Sequence, residues 1–191
     1  MNSIETAVQG VKEGKVNYFE IIVEQFQNQL FRYCYRMLGS TQEAEDVVQE
    51  ALLKAFYKIG SYNESISFSA WLYKITHNHC INIIRRRKLL QFVSFIDATI
   101  PSIEDVGKNL EEIEINKELN KVLQKLSTDD RCLLILKNIE EKSFEEIALI
   151  LSIKPATIRK RYERLRKKLR VSLSETRGGI VNENYSINRR Y

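Results

Sequence analysis

The sequence predicts an all-α protein made of two small helical domains joined by an extended linker. Its 191 residues include only seven glycines and two prolines, a composition that favours helices. Apolar residues recur at helical spacing over most of the chain before residue 89 and after residue 112. Between these positions, acidic residues, Pro101 and scattered aromatic residues replace the helical period, so we expect an extended linker there.

The composition limits the kinds of protein this can be. The formal net charge is +5 and the pI is about 9.0, which favours a polyanionic partner. No apolar run approaches the roughly 20 residues of a membrane span. Because the N-terminus also lacks the apolar core of a signal peptide, we expect a cytoplasmic protein.

The cysteines and histidines do not form a metal-binding pattern. Cys34, Cys80 and Cys132 are widely spaced and odd in number, which predicts buried thiols in a reducing cytosol. His77 and His79 lie two positions apart, so on a helix they point to nearly opposite faces and cannot chelate one ion together. The sequence therefore predicts no metal and no other cofactor.

Two helices are expected at the start of the first domain. Residues 1–15 are predicted to be a lead-in with a partly amphipathic helix. Tyr18–Leu38 is predicted as a long helix, because apolar residues recur along one side of it. Gly39 and Ser40 end this helix, and Thr41 is expected to cap the next one.

The third predicted helix, Glu43–Ile59, has a large apolar residue on an otherwise polar face. Its buried stripe is predicted to be Val47, Val48, Ala51, Leu52, Ala55 and Phe56. The other face carries Asp46, Gln49, Glu50, Leu53 and Tyr57. A single exposed leucine is common and often has no function, but Leu53 among carboxylates and a tyrosine also fits a protein-docking face. Spacing alone leaves both interpretations open.

A polar loop, Ser61–Ser69, leads into a further predicted helix, Ala70–Lys88. Its inward side chains are predicted to be Leu72, Ile75, His79 and Ile83. The outward side chains are Trp71, Lys74, Asn78, Asn82, Arg85 and Lys88. Aromatic, amide and cationic groups along one face are typical of single-stranded DNA binding. In the alternative interpretation, Trp71 covers a small core and Arg85–Lys88 is a solvated helix end.

The second domain is predicted to begin with two helices. These are Glu111–Leu126 and Arg131–Ile139, the second capped by residues 128–130. The predicted boundaries are 1–88 and 113–174 for the domains and 89–112 for the linker. The polar, glycine-containing residues 175–191 are predicted to be disordered.

The stretch from Ser143 to Arg170 has the layout of a helix-turn-helix. Ser143 and Glu146 form a predicted capping box, and Pro155 suits the first turn of a second helix. The buried stripe of that helix is predicted to be Ile158, Tyr162, Leu165 and Leu169, and the opposite face carries Arg159, Lys160, Glu163, Arg164 and Lys167. Such a face fits a DNA major groove. Complementing the helix dipole would explain cations near the C-terminal end but not those at residues 159–161, near the helix start.

Four stretches, in this order and at these separations, resemble one family. They are Ala44–Ile59, Phe68–Lys88, Leu126–Ile153 and Lys154–Arg170. The chain resembles, over about Val16 to Leu173, an extracytoplasmic-function (ECF) sigma factor of bacterial RNA polymerase, from the sigma-70 superfamily. The resemblance implies a sigma-two-like bundle and a sigma-four-like helix-turn-helix domain. It also implies binding to core polymerase and to promoter DNA, and initiation at a specific regulon, of stress or envelope type.

The resemblance assigns a role to each surface. It implies polymerase docking by Asp46, Gln49, Glu50 and Leu53. It implies binding of the separated −10 strand by Tyr62, Phe68, Trp71, Lys74, Asn78 and Arg85, with the Ser61–Ser69 loop catching a flipped base. It implies reading of the duplex −35 element by Thr157, Arg159, Lys160, Glu163 and Arg164. The resemblance further implies an anti-sigma partner, often membrane-anchored. The sequence contains no catalytic constellation, so we do not expect an enzyme.

The chain departs from the family pattern at several positions. Many relatives have Asp at Asn82, Arg at Ser69 and Gly at Ser152, and specificity varies at Glu163. A serine at position 152 suggests a turn without positive φ. The alternative classes of protein are a stand-alone helix-turn-helix regulator and a protein-interaction adaptor. Neither needs a strand-binding helix beside a docking helix.

Overall fold

The computed structural model describes residues 3–94 and 123–185, with side chains described over residues 4–90 and 123–170. Its elements are α1 (Ser3–Lys12), α2 (Tyr18–Leu38), α3 (Thr41–Lys58), a 3-10 turn (Ile59–Ser61), α4 (Phe68–Ser94), α5 (Thr128–Asn138), α6 (Phe144–Leu151) and α7 (Pro155–Tyr185). Neither range contains a strand, which confirms the all-α prediction. No helix within the two ranges is both long and apolar enough to cross a membrane.

Helices α1, α3 and α4 pack around α2, and the apolar side chains along one side of α2 are buried. Leu30, Tyr33 and Met37 are 0% exposed. Gly39, at φ +74°, ends α2, as expected. The cap of α3 differs from the prediction: the Ser40 hydroxyl, one residue before Thr41, accepts a hydrogen bond from the backbone N–H of Glu43 at 3.4 Å. The helix therefore begins with Thr41 already inside its first turn.

The second unit is built on α5, α6 and α7. Ser127 caps α5 by accepting from the Asp130 N–H at 3.2 Å, so the cap is one residue earlier than the predicted Thr128. The capping box of Ser143 and Glu146 is confirmed, with both reciprocal hydrogen bonds present. Pro155 begins α7, also as predicted. Between α5, α6 and α7 lie buried aliphatic side chains, namely Leu133, Ile135, Leu136, Ile147, Ile150, Ile158 and Leu165.

The turn between α6 and α7 contradicts the prediction made from Ser152. Ser152 has φ +56° and ψ +41°, which is the left-handed region. Its N–H still reaches the carbonyl oxygens at the end of α6, so the residue acts as a left-handed C-cap without being glycine. A side chain in this conformation has a steric cost that glycine avoids.

Replacing Ser152 with glycine should therefore stabilise the second unit. We expect the free energy of unfolding to rise by about 0.5–1 kcal/mol, because relief of the left-handed strain exceeds the greater entropy of glycine in the unfolded chain. Urea denaturation of the full chain would measure the change. A matched Ser143→Gly variant should be destabilised, since it removes the capping-box hydroxyl. A destabilised Ser152→Gly variant would contradict the strain argument.

Two helices extend further than the sequence suggested. Helix α4 continues to Ser94, past the predicted start of the linker at Leu89. Helix α7 continues to Tyr185, into the stretch for which disorder was predicted. Gly178 and Gly179 weaken a helix by about 1 kcal/mol each but do not end it, and no proline follows Pro155. The rest of the predicted linker, most of the predicted helix 111–126 and residues 186–191 lie outside the described residues. The domain boundaries stay predictions.

The two units pack directly on each other. The Tyr73 hydroxyl on α4 donates to the Glu140 carboxylate after α5 at 2.5 Å. Arg131 on α5 is 9% exposed and donates to the Met37 carbonyl near the end of α2 at 2.6 Å. The same guanidinium donates to the carbonyls of Leu123, at 2.9 Å, and of Gln124, at 3.0 Å. Arg131 therefore links the C-terminal end of α2 to residues 123 and 124, which precede α5.

Candidate polymerase-docking and DNA-binding surfaces

The α3 face that was predicted to dock a protein is exposed. Asp46, Gln49 and Glu50 are all exposed. Leu53 is 56% exposed and Tyr57 is 76% exposed, although both are large apolar or aromatic side chains. The predicted stripe on the other side is buried, with Phe56 partly buried against the Phe19 ring at 5.1 Å between centroids. Leu53 and Tyr57 thus form an exposed apolar strip beside carboxylates.

Glu50 connects the predicted docking face to α4. Its carboxylate lies 3.0 Å from His79 Nδ1. His79 was predicted to point inward and is half-buried. The other histidine is His77, whose Nδ1 lies 2.9 Å from the Tyr33 hydroxyl and 3.5 Å from Cys132 Sγ. Burial lowers the pKa of His77 to about 4, so its ring is neutral at pH 7.

The cysteines are buried thiols, as predicted. Cys34, Cys80 and Cys132 are all free and buried, with Sγ of Cys34 and Cys80 3.7 Å apart. Within the described residues, no three potential metal ligands come together.

Three aromatic residues at the Ser61–Ser69 loop pack on one another. Tyr62, Phe68 and Trp71 have ring centroids 5.3–5.4 Å apart. Tyr62 is 8% and Phe68 is 7% exposed, so neither ring is free to stack on a base in this conformation. The Tyr62 hydroxyl also donates to the Ile66 carbonyl at 2.6 Å, which closes the loop on itself. Both residues were predicted to contact DNA; here they form the base of the loop, because their rings complete the core over α4. A direct contact would need the loop to rearrange.

The outward face of α4 is polar and accessible. Trp71 and Lys74 are half-buried, whereas Asn78, Asn82, Arg85, Arg86 and Lys88 are exposed. Arg87, inside the same cationic run, behaves differently: its guanidinium donates to both carboxylate oxygens of Glu43 and, at 2.8 Å, to the Leu38 carbonyl. Arg87 therefore fixes α4 to the start of α3. This role could not be predicted from the residue type, because Arg85 and Arg86 precede Arg87 in the same run of arginines.

Helix α7 carries the predicted DNA-reading face on its exposed side. Thr157, Arg159, Lys160, Glu163 and Arg164 are all exposed. On its buried side, Ile158 is 0% and Leu165 is 2% exposed, while Tyr162 and Leu169 are partly buried. The stripe prediction is confirmed. Three of the α7 cations make ion pairs within the unit: Arg159 with Glu145 on α6, and Arg161 and Lys168 with carboxylates of α5, at 2.6 Å to Asp129 and 4.0 Å to Asp130. Lys160 and Arg164 make no ion pair within the described residues, so they are available to a ligand.

The loop before α4 is also contacted by the helix-turn-helix unit. The Ser67 hydroxyl donates to the Glu146 carboxylate at 3.0 Å. The Lys142 ammonium donates to the Ser69 hydroxyl at 2.7 Å and lies 4.6 Å from the centroid of the Tyr73 ring. The loop therefore touches α6 and the turn before it, a contact between residues more than 70 positions apart that periodicity could not predict.

Comparison with known families and proteins matches both units. The family model of sigma-70 region 2 matches residues 22–89, and that of sigma-70 region 4 matches residues 116–169. The ECF RNA polymerase sigma factor SigW of Bacillus subtilis (strain 168) is 34% identical over 185 residues, covering 90% of this chain and 97% of SigW. The RNA polymerase sigma-H factor of Pseudomonas aeruginosa is 29% identical over 170 residues, covering 84% of this chain and 88% of the relative.

Two solved structures share the fold. CnrH, in complex with the cytosolic domain of CnrY, matches with a TM-score of 0.68 at 21% identity, over 91% of this chain and 99% of CnrH. The sigma factor RpoE of Bartonella quintana, in complex with the anti-sigma factor NepR, matches with a TM-score of 0.63 at 26% identity, over 82% of this chain and 96% of RpoE.

Proposed function

Because the chain belongs to the ECF sigma factors of the sigma-70 family, we propose that its work as an RNA polymerase sigma factor is divided among three surfaces. These are the α3 face around Leu53, the α4 face with the loop before it, and the exposed side of α7. The observation that carries the proposal is that Leu53 and the cations of α7 remain exposed while the stripes behind them are buried. Groups left in solvent beside a filled core are free to bind a partner.

The α3 face is proposed to dock on the clamp helices of the largest polymerase subunit. Leu53 supplies an apolar anchor, and Asp46, Gln49 and Glu50 surround it with polar groups. An apolar centre with a polar rim is the usual anatomy of a protein interface. The contact of Glu50 with His79 would hold one of these carboxylates in place.

The α4 face is proposed to hold the separated non-template strand of the −10 element. Trp71 offers a ring on which a base can stack, while Lys74, Asn78 and Arg85 face the strand. Tyr62 and Phe68 support the loop that would receive the flipped base, rather than contacting it directly in the present conformation. Extracting a base from the stack costs a few kcal/mol, which strand binding would offset.

The exposed side of α7 is proposed to enter the major groove of the −35 element. Lys160 and Arg164 reach phosphates or guanine edges, and Glu163 can accept from cytosine. Thr157 lies one turn before Lys160 on the same helix. Arg159 would exchange its ion pair with Glu145 for a DNA contact. Helix α7 would thus read the −35 element as paired duplex, and α4 would bind the −10 element as a separated strand.

The remaining features follow from the same proposal. Sigma factors are not enzymes, and we infer that the polymerase supplies all of the nucleotide chemistry here. We also infer a cytoplasmic location, where the polymerase is found. RpoE of Bartonella quintana was solved with the anti-sigma factor NepR, and we propose that this chain also has an anti-sigma partner.

Replacing Lys160 or Arg159 with alanine should weaken selection at the −35 element. A lost base contact is expected to reduce discrimination between the native and an altered −35 sequence by about 1–3 kcal/mol. Duplex binding by the holoenzyme to both sequences would measure it. Lys125→Ala, on an exposed residue outside α7, removes the same charge and should leave discrimination unchanged. An equal loss on both sequences would identify a phosphate contact instead.

The function is tested by co-elution of the purified chain with core RNA polymerase, followed by transcription from a promoter library. Stable co-elution, with initiation at a defined subset of promoters, would support the proposal and reveal both elements. Tight binding to duplex DNA alone, with no binding to core polymerase, would instead favour the stand-alone regulator.

A further inference from the structure

Helix α1 lies outside the residues matched by the region 2 family model, yet it is a fixed part of the first unit. Ala7 is 0% and Val8 is 2% exposed. Gly10 lies so close to Tyr18 that a Cβ atom there would be 2.6 Å from the ring. Because α1 is held by buried contacts, a side chain near its end has a defined position.

Lys12, at the end of α1, makes three contacts with the loop before α4. Its ammonium donates to the Tyr62 carbonyl at 3.2 Å and to the Glu64 carboxylate at 2.7 Å. It also lies 5.3 Å from the centroid of the Tyr62 ring, within range of a cation–π interaction. The Lys12 side chain is only 21% exposed. One cation on a rigid helix therefore holds both the backbone and a side chain of the loop.

Glu64 gives this contact a consequence for DNA binding. It is the only charged residue between Ser61 and Ser69. A carboxylate in a loop that must approach a phosphate backbone is repelled by it, and the repulsion grows as water is excluded. Lys12 places a positive charge 2.7 Å from this carboxylate, whose side chain is 68% exposed, so Lys12 and the loop together carry no net charge.

We propose that Lys12 is a positioning residue for capture of the −10 strand. It sets the conformation of the Ser61–Ser69 loop and neutralises Glu64, so that the loop presents its polar groups to a single strand without a net negative charge. This inference rests on the proposed function of the loop. It adds a residue from outside the matched region, acting through the loop rather than by touching DNA.

Lys12→Met tests the inference, because methionine keeps an apolar stem but removes the charge and the donor. Holoenzyme carrying this variant would be titrated with a fluorescent single strand containing a −10 element found in the promoter library. We expect the dissociation constant for the strand to rise about three- to ten-fold. Affinity for core polymerase, binding to −35 duplex and the thermal midpoint should not change. Lys15→Met, on an exposed lysine paired with Glu13, is the matched control and should behave as wild type.

Two further variants identify the mechanism. Lys12→Arg keeps the charge and should retain strand binding. Adding Glu64→Gln to Lys12→Met removes the unpaired carboxylate and should restore most of the lost affinity. No recovery in the double variant would overturn the charge argument.

Trp71→Ala separates this inference from the proposed function on which it depends. If Trp71→Ala weakens strand binding but Lys12→Met does not, the role of Lys12 is wrong and the α4 surface stands. If neither variant changes strand binding, the proposed −10 surface itself is wrong. A Lys12→Met variant that loses thermal stability and core binding together would have a purely structural role, which also overturns the inference.

Discussion

Replacing Leu53 with aspartate is expected to weaken binding to core RNA polymerase by about thirty-fold or more, while the chain stays folded. Leu53 is 56% exposed on α3, so the new carboxylate has free access to water in the isolated chain. In the complex it would be buried in place of an apolar anchor, and truncated anchors at interface centres commonly cost about 2 kcal/mol or more. Fluorescence anisotropy of the labelled chain, titrated with core polymerase, would give the change in affinity.

Leu89 provides the matched control for this substitution. It is 64% exposed on α4, so Leu89→Asp introduces the same charge at a similar exposure outside the α3 face. We expect near wild-type core affinity for Leu89→Asp. Equal affinities for the two variants and the wild type would remove the α3 face from the docking surface.

Replacing Arg131 with methionine is expected to lower the free energy of unfolding by about 3 kcal/mol. The guanidinium donates to the Met37 carbonyl at the C-terminal end of α2 and to the Leu123 carbonyl before α5. A cation is favourable at a helix C-terminus, and carbonyls left buried without a donor each cost about 1–3 kcal/mol. Methionine fills part of the volume but restores none of these hydrogen bonds.

Urea denaturation followed by circular dichroism would measure the loss. Arg166→Met, on an exposed residue of α7, removes the same charge and should change stability by no more than about 0.5 kcal/mol. Equal stability of the two variants would show that water replaces the Arg131 hydrogen bonds without cost.

Local chemistry made much of this structure predictable. The capping box at Ser143 and the first turn at Pro155 depend only on residues within one helical turn of each other. The buried stripe of α3 follows from period alone, which is why Leu53 could be placed on the exposed face. Interactions between residues that are close in the chain can be predicted from the order of the residues alone.

Tertiary contacts explain what the sequence could not predict. The polarity of the Ser61–Ser69 loop predicted exposed rings for Tyr62 and Phe68. Both rings are instead buried against each other beside α4, a position that depends on tertiary packing. Arg131 looked like an ordinary first-turn residue, because its acceptors include Met37, far away in the chain. The positive φ of Ser152 was missed since residue type gives only a preference for that conformation.

The packing of the loop before α4 on α6 limits what the isolated chain can do with a promoter. The names −35 and −10 imply a separation of about 25 base pairs, or roughly 85 Å at 3.4 Å each. In this structure Ser67 contacts Glu146 and Arg159 contacts Glu145, so only α6, eight residues and about 12 Å long, stands between the two proposed reading surfaces.

A molecule with two binding modules gains avidity only when both can reach their targets at once. In the packed conformation, the chain can bind only one promoter element at a time. Binding of one module to its element therefore does not raise the effective concentration of the other module at the second element. Separation of α6 from α4 on the polymerase would convert the same two modules into a bivalent reader, and selectivity would then depend on both binding events together. The polymerase would then set the distance between the two modules, and with it the distance between the −35 and −10 elements that one chain can bind at the same time.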